Sequence, residues 1–170
     1  VRSTFLPFNR PDIADDEIDE VVDTLQSGWL TTGPKTKEFE RRFAEFVGAN
    51  HAVAVNSCTD GLHVALATAG IGPGDEVIVP TMTFASTANV VIHQCARPVF
   101  VDVLPDTLNI DPTAVALAIT PRTKAIIPVH LYGHPCRMDR LRAIAREHNL
   151  LLIEDAAHAI GAYWHDQAVG

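Results

Sequence analysis

Apolar positions along the chain follow two regimes. Over residues 12–27, Ile18, Val21, Val22 and Leu25 recur at helical spacing on one face. Acids crowd the first turn of that stretch, and Gly28 follows it as a left-handed stop. The run Trp29-Leu30-Thr31-Thr32-Gly33-Pro34 reads as a loop. A second helix is expected over 36–47, with Phe39, Phe43, Phe46 and Val47 inward and Gly48 ending it. From residue 51 the pattern changes. Short apolar runs at 51–55, 76–80, 98–103, 125–129 and 150–154 predict strands. Helical stretches at 60–69, 85–94, 112–119 and 138–148 separate them. Asp111 and Pro112 have the residue types of an N-cap and a first helical position. In the last helix Met138, Leu141, Ile144 and Ala145 face inward, while Arg140, Arg142 and Arg146 face water.

Strands this continuously apolar and β-branched are buried on both faces. The expected fold is therefore α/β, a doubly wound, mostly parallel sheet with helices on both faces. It divides into an N-terminal helical segment over 1–50 and an α/β unit over 51–170. Ligands in such sheets bind beyond the carboxyl ends of the strands, so the residues that follow each strand are the candidates for chemistry.

After the first strand, Asn56-Ser57-Cys58-Thr59-Asp60-Gly61 leads into a helix. Free N–H groups at Cys58 and Thr59, the Thr59 hydroxyl and the helix dipole favour an anion there. The segment is neither a Walker loop nor GxGxxG, and Ser57 or Thr59 can equally be a plain helix cap. After the second strand, Phe84 can lie flat on a planar ligand or pack in the core. After the fourth, His130, His134 and Cys136 invite a metal, but no carboxylate or second cysteine accompanies them, so no metal is expected. After the fifth, Asp155 stands at the mouth of a buried strand, where a carboxylate needs a cationic or hydrogen-bonded partner. Small residues (Ala156, Ala157, Ala159, Gly161) leave room beside it for a flat ligand. That partner can be a protonated heterocyclic nitrogen or Mg²⁺, or Asp155 can cap the next turn. A phosphate cradle, an aromatic plate and a buried acid together are the handles needed by pyridoxal 5'-phosphate, whose protonated ring acts as an electron sink.

Composition narrows the field. The formal net charge of −8 over 170 residues argues against a nucleic-acid partner. The longest apolar run, 114–119, falls far short of the roughly 18 residues that span a bilayer, so no membrane partner is expected. No signal peptide is read at the start. Cys58, Cys95 and Cys136 read as reduced thiols in a cytoplasmic protein. There are only three lysines, Lys35, Lys37 and Lys124.

The ordered motifs Pro7-Phe8-Asn9-Arg10-Pro11, Ser27-Gly28-Trp29-Leu30-Thr31-Thr32-Gly33-Pro34, Asn56-Ser57-Cys58-Thr59, Gly72-Pro73-Gly74-Asp75-Glu76-Val77-Ile78, Pro128-Val129-His130-Leu131-Tyr132-Gly133 and Glu154-Asp155-Ala156-Ala157-His158-Ala159 resemble the DegT/DnrJ-type (StrS-like) sugar aminotransferases. The opening Phe5-Leu6-Pro7-Phe8 and the Trp29 loop resemble transaminases of UDP-4-keto pentoses and related sugars, the 4-amino-4-deoxyarabinose type. The resemblance implies the large domain of a fold-type I enzyme that uses pyridoxal 5'-phosphate, with pyridoxamine 5'-phosphate as its intermediate form. It implies a nucleotide-linked keto-sugar as acceptor, glutamate as the usual amino donor, a homodimer with the site at the subunit interface, and a place in cell-envelope polysaccharide biosynthesis. Ser57, Cys58 and Thr59 would meet the phosphate and Phe84 would stack on the ring. Asp155 would pair with the ring nitrogen, and His158 would hydrogen-bond the 3'-oxygen. Trp29, Thr31 and Gly33 would lie on the substrate side.

The resemblance also implies a Schiff-base lysine in a later Ser-Phe-containing segment, beyond Gly170, and a C-terminal small domain. Lys124 precedes its strand, and Lys35 and Lys37 lie far upstream. The chain is therefore expected to be the N-terminal portion of such an enzyme, inactive and marginally soluble by itself. Rival readings are a pyridoxamine-phosphate-dependent sugar dehydratase of the same fold, a non-catalytic α/β ligand-binding module, and an unrelated protein holding Mg²⁺ on Asp155 and His158.

Overall fold

The computed structural model describes residues 4–7 and 10–170, so Phe8 and Asn9 of the first motif lie outside the described residues. Two helices come first, α1 (Asp15–Ser27) and α2 (Pro34–Val47). Each ends at a left-handed glycine, Gly28 and Gly48, as the sequence predicts. Their apolar faces depart from expectation. Phe39 and Phe46, expected inward, are more than half exposed, as are Ile18, Val21 and Leu25, and only Ala44 of α2 is buried. The helical period is right, but nothing among the described residues covers these faces.

The rest alternates: α3 (Cys58–Thr68), β1 (Glu76–Pro80), α4 (Ser86–His93), β2 (Arg97–Val101), α5 (Pro112–Ala118), β3 (Thr123–Ile126), a short 3₁₀ turn (Leu131–Gly133), α6 (Met138–Glu147) and β4 (Leu151–Leu152). The four strands form a parallel sheet in the order β2-β1-β3-β4, with helices on both faces. β1 is buried along its whole length. Val77 and Val79 point to one side, onto Leu62 and Leu66 of α3 and Val90 and Val91 of α4. Ile78 points to the other, onto Val115 of α5 and Met138 and Leu141 of α6. Strand alternation thus fills two cores from one strand. The Asp111 side chain caps α5, accepting the Thr113 N–H at 2.8 Å.

Three expectations need correction. Residues 51–55 form no strand, because no neighbouring strand among the described residues pairs with them. Val53 is 76% exposed, and the Ala54 N–H turns instead to Glu40 Oε1 at 2.9 Å. The expected strands at 98–103, 125–129 and 150–154 are shorter as continuous ladders, but parallel bonding runs on past β3 and β4: Ile127 N–H donates to Ile78 O at 2.9 Å, Ile153 N–H to Ile126 O at 3.0 Å, and Val129 and Asp155 form an isolated bridge. A hairpin, β5 (Tyr163–Trp164) with β6 (Gln167–Ala168), was not expected. It ties Arg142 down: this side chain, expected in water, is only partly exposed, bonds Gln167 and lies 3.6 Å from Glu154 Oε1.

At the near end of β1 the buried Glu76 carboxylate is held by two exposed arginines. Glu76 Oε1 accepts from Arg122 at 2.7 and 2.9 Å, and Oε2 accepts from Thr120 Oγ1 at 2.6 Å. Arg97 closes the group at 3.5 Å.

Candidate functional site

In the order β2-β1-β3-β4 the chain leaves β1 to one side for β2 and crosses to the other for β3. A crevice opens beyond the carboxyl ends at such a reversal. A cavity of about 280 Å³ lies there. Cys58 and Thr59 line it from the start of α3, Thr83, Phe84 and Ser86 from the turn after β1, Val129, His130 and Leu131 from the segment after β3, and Asp155, Ala157 and His158 from the turn after β4.

Asp155 is 5% exposed. Its place is fixed by the backbone: Asp155 N–H donates to Pro128 O at 2.9 Å, and His130 N–H donates to Asp155 O at 3.1 Å. Oδ2 accepts from Thr87 Oγ1 at 2.8 Å. Oδ1 accepts from Ala157 N–H at 3.3 Å and from Cys58 Sγ at 3.6 Å. The acid and the start of α3 therefore meet across 97 residues of sequence. Desolvation first, then the charge and hydrogen bond of Asp155, push the Cys58 thiol up to about 11.

At the α3 N-terminus, Ser57 Oγ accepts the Asp60 N–H at 3.1 Å and donates to Asp60 Oδ2 at 2.7 Å. The Ser57 hydroxyl is thus engaged as a cap, and Cys58 and Thr59 supply the N–H groups that helix geometry leaves free. Phe84 is 77% exposed, a plate at the cavity wall and not core packing. His158 is also exposed, with its ring parallel to Tyr132 within 8° at 6.1 Å.

His130 is a structural residue. Its Nδ1 accepts the Cys136 N–H at 3.0 Å, and its Nε2 lies 2.9 Å from Glu154 Oε2. Both ring nitrogens are engaged. Burial pushes Glu154 up, but His130, the Gly170 N–H and Arg142 outweigh it and hold the carboxyl below its ordinary value. Cys136, buried, is pushed to about 12 and donates to Val129 O at 3.1 Å.

Trp29, Thr31 and Gly33 do not join this cavity. They line a second one, of about 300 Å³, with Asp23, Ser27 and Lys35. Sequence reading brought Cys58, Thr59, Phe84, Asp155 and His158 to one place. It missed Thr83 and Thr87, whose hydroxyls sit in a stretch that reads as ordinary helix entry, and Tyr132, whose stacking has no local signal.

Residues 11–170 match the DegT/DnrJ/EryC1/StrS aminotransferase family. The chain belongs to that family. Spore coat polysaccharide biosynthesis protein SpsC of Bacillus subtilis (strain 168) is 54% identical over 99% of this chain and 43% of its own length. Among solved structures, S. venezuelae DesV superposes with a TM-score of 0.89 at 46% identity, covering 92% of this chain and 42% of that one. NtdA from Bacillus subtilis, with bound cofactor PMP, superposes at 0.82 with 38% identity, covering 88% of this chain and 35% of that one. The chain spans less than half the length of the curated relatives it matches. The family's parallel sheet and flanking helices are those described above. No helix among the described residues is long and apolar enough to cross a membrane.

Proposed function

We propose that this chain supplies the cofactor-binding face of a pyridoxal 5'-phosphate-dependent sugar aminotransferase. The observation that carries the reading is the buried carboxylate of Asp155 set against the open N-terminus of α3 in one cavity. A phosphate fits the free N–H groups of Cys58 and Thr59 and the helix dipole. Phe84 offers a face to a ring. Asp155 would hold a proton on a ring nitrogen, and His158 would hydrogen-bond the oxygen beside the ring. When bound, the cofactor supplies the electron sink for amino-group transfer. The PMP bound to NtdA supports the same cofactor in its amino form.

The three lysines lie elsewhere. Lys35 is paired with Glu20 and Asp23 at 2.6 and 2.7 Å beside the second cavity. Lys124 is exposed in β3, toward the end away from the site, and Lys37 is exposed in α2. We assign the tethering amine to the part of the relatives' length that this chain does not span. Glutamate as donor, a nucleotide-linked keto-sugar as acceptor and a homodimeric assembly complete the proposal. The polysaccharide role in the name of SpsC supports the sugar.

The test is a titration of pyridoxal 5'-phosphate followed by fluorescence. Asp155→Ala is expected to weaken binding at least about tenfold. Equal affinity in wild type and variant would refute the cofactor assignment. Transfer of labelled nitrogen from glutamate to a nucleotide-linked keto-sugar tests the finer reading.

A further inference from the structure

Thr87 is fully buried in the first turn of α4. A helical threonine usually bonds the carbonyl one turn back or faces water. Thr87 does neither. Its hydroxyl leaves the helix and donates to Asp155 Oδ2 at 2.8 Å, across 68 residues. The Thr83 hydroxyl lies 2.8 Å from the Thr87 hydroxyl. A hydroxyl carries one proton, and the proton of Thr87 goes to the carboxylate. Thr83 must therefore donate to Thr87, so both protons run toward the acid. Thr83 itself lines the cavity.

The two oxygens of Asp155 are held unequally. Oδ2 has a short bond from a hydroxyl that a second hydroxyl polarises. Oδ1 has only a long amide contact at 3.3 Å and a thiol at 3.6 Å, and Cys58 borders the cavity. The weaker partners are those a ligand N–H can replace at small cost.

We propose that Thr87, backed by Thr83, is a positioning residue that pins Oδ2 so that Oδ1 is presented to a protonated ring nitrogen. This inference rests on the cofactor reading above and assigns a role to residues that need not touch the cofactor. Removing the relay should leave the phosphate cradle intact and loosen only recognition of the nitrogen.

The experiment compares affinities for pyridoxal 5'-phosphate and for its analogue in which a C–H replaces the ring nitrogen. Wild type is expected to prefer the nitrogen-containing ligand, and Asp155→Asn to lose that preference. Thr87→Val, which keeps the shape, is expected to lower the preference about tenfold. Thr87→Ser, which keeps the hydroxyl, should restore it to within about twofold of wild type. Thr83→Val, at the cavity wall, should fall between and keeps the test open if Thr87→Val fails to fold. General damage would weaken both ligands alike and leave their ratio unchanged. If Asp155→Asn abolishes the preference while the threonine variants retain it, the relay is wrong and the cofactor reading stands. If wild type shows no preference, both fall together.

Discussion

A Cβ added to Gly133 would stand 2.9 Å from the carbonyl oxygen of His158. Gly133 also has φ +83, a conformation that L side chains rarely adopt. The 3₁₀ turn after β3 therefore rests directly on the turn that carries His158. Gly133→Ala is expected to cost about 1–2 kcal/mol from backbone conformation alone, before the clash is relieved. Denaturant unfolding measures the loss. Relief of the clash must move the His158 turn, so pyridoxal 5'-phosphate affinity should fall in the same variant. A loss confined to this backbone cost, with pyridoxal 5'-phosphate affinity unchanged, would show that the two turns are not in this contact.

The Glu76 cluster makes part of the stability dependent on acid. The Thr120 hydroxyl first, then Arg122 and Arg97, outweigh desolvation and hold the Glu76 carboxyl below its ordinary value. A carboxylate lowered on folding stabilises the fold above its unfolded pKa, and that contribution is lost as pH falls through the lowered folded value. The melting temperature of wild type should therefore drop below about pH 4.5 more steeply than that of Glu76→Gln. Glu76→Gln should also melt lower near neutral pH. Parallel curves for the two proteins would remove Glu76 from the account.

Cys58 should be a slow nucleophile despite its exposure. With its thiol pushed to about 11, alkylation by iodoacetamide in a Cys95→Ser background should be slow at neutral pH and rise only in strong alkali. Removing the neighbouring charge with Asp155→Asn should move the alkylation profile toward lower pH. Mass spectrometry of the modified peptide against pH reads both. A neutral-pH midpoint in wild type would contradict the contact between Cys58 and Asp155.

His130→Ala leaves the Glu154 carboxylate and the Cys136 N–H without their shared partner. The Glu154 carboxylate keeps the Gly170 N–H and Arg142, so orphaning the buried Cys136 donor and weakening the support of this charge should cost about 2 kcal/mol. Urea unfolding is the measurement, and a loss under about 1 kcal/mol would mean that water takes the place of the ring.

What the sequence made legible was set by local pattern. β1 was readable residue for residue because a parallel strand buried on both sides has no polar interruption. Asp111 was readable because a cap and a proline act within one turn. Asp155 was readable as unusual because a carboxylate at the end of an apolar run needs an explanation. The failures are all non-local. The 51–55 segment has the composition of a strand, but strand formation is decided by a neighbour. Phe39 and Phe46 follow the helical period, but burial is decided by what lies opposite. Arg142 looks like a solvent charge until the 163–168 hairpin brings Gln167 and the fold brings Glu154. Thr87 gives no sign of its role because its partner lies in another strand's turn.

β1 begins at Glu76, with its arginines, and runs out into the turn that carries Thr83 and Phe84. Its five residues set the two ends roughly 13 Å apart, beyond the distance of about 7–10 Å within which substitutions usually couple. The same short rod therefore holds the charges that fasten the domain out of contact with the chemistry at its tip. Substitutions that retune one end can accumulate while the hydrogen bonds at the other stay as they are.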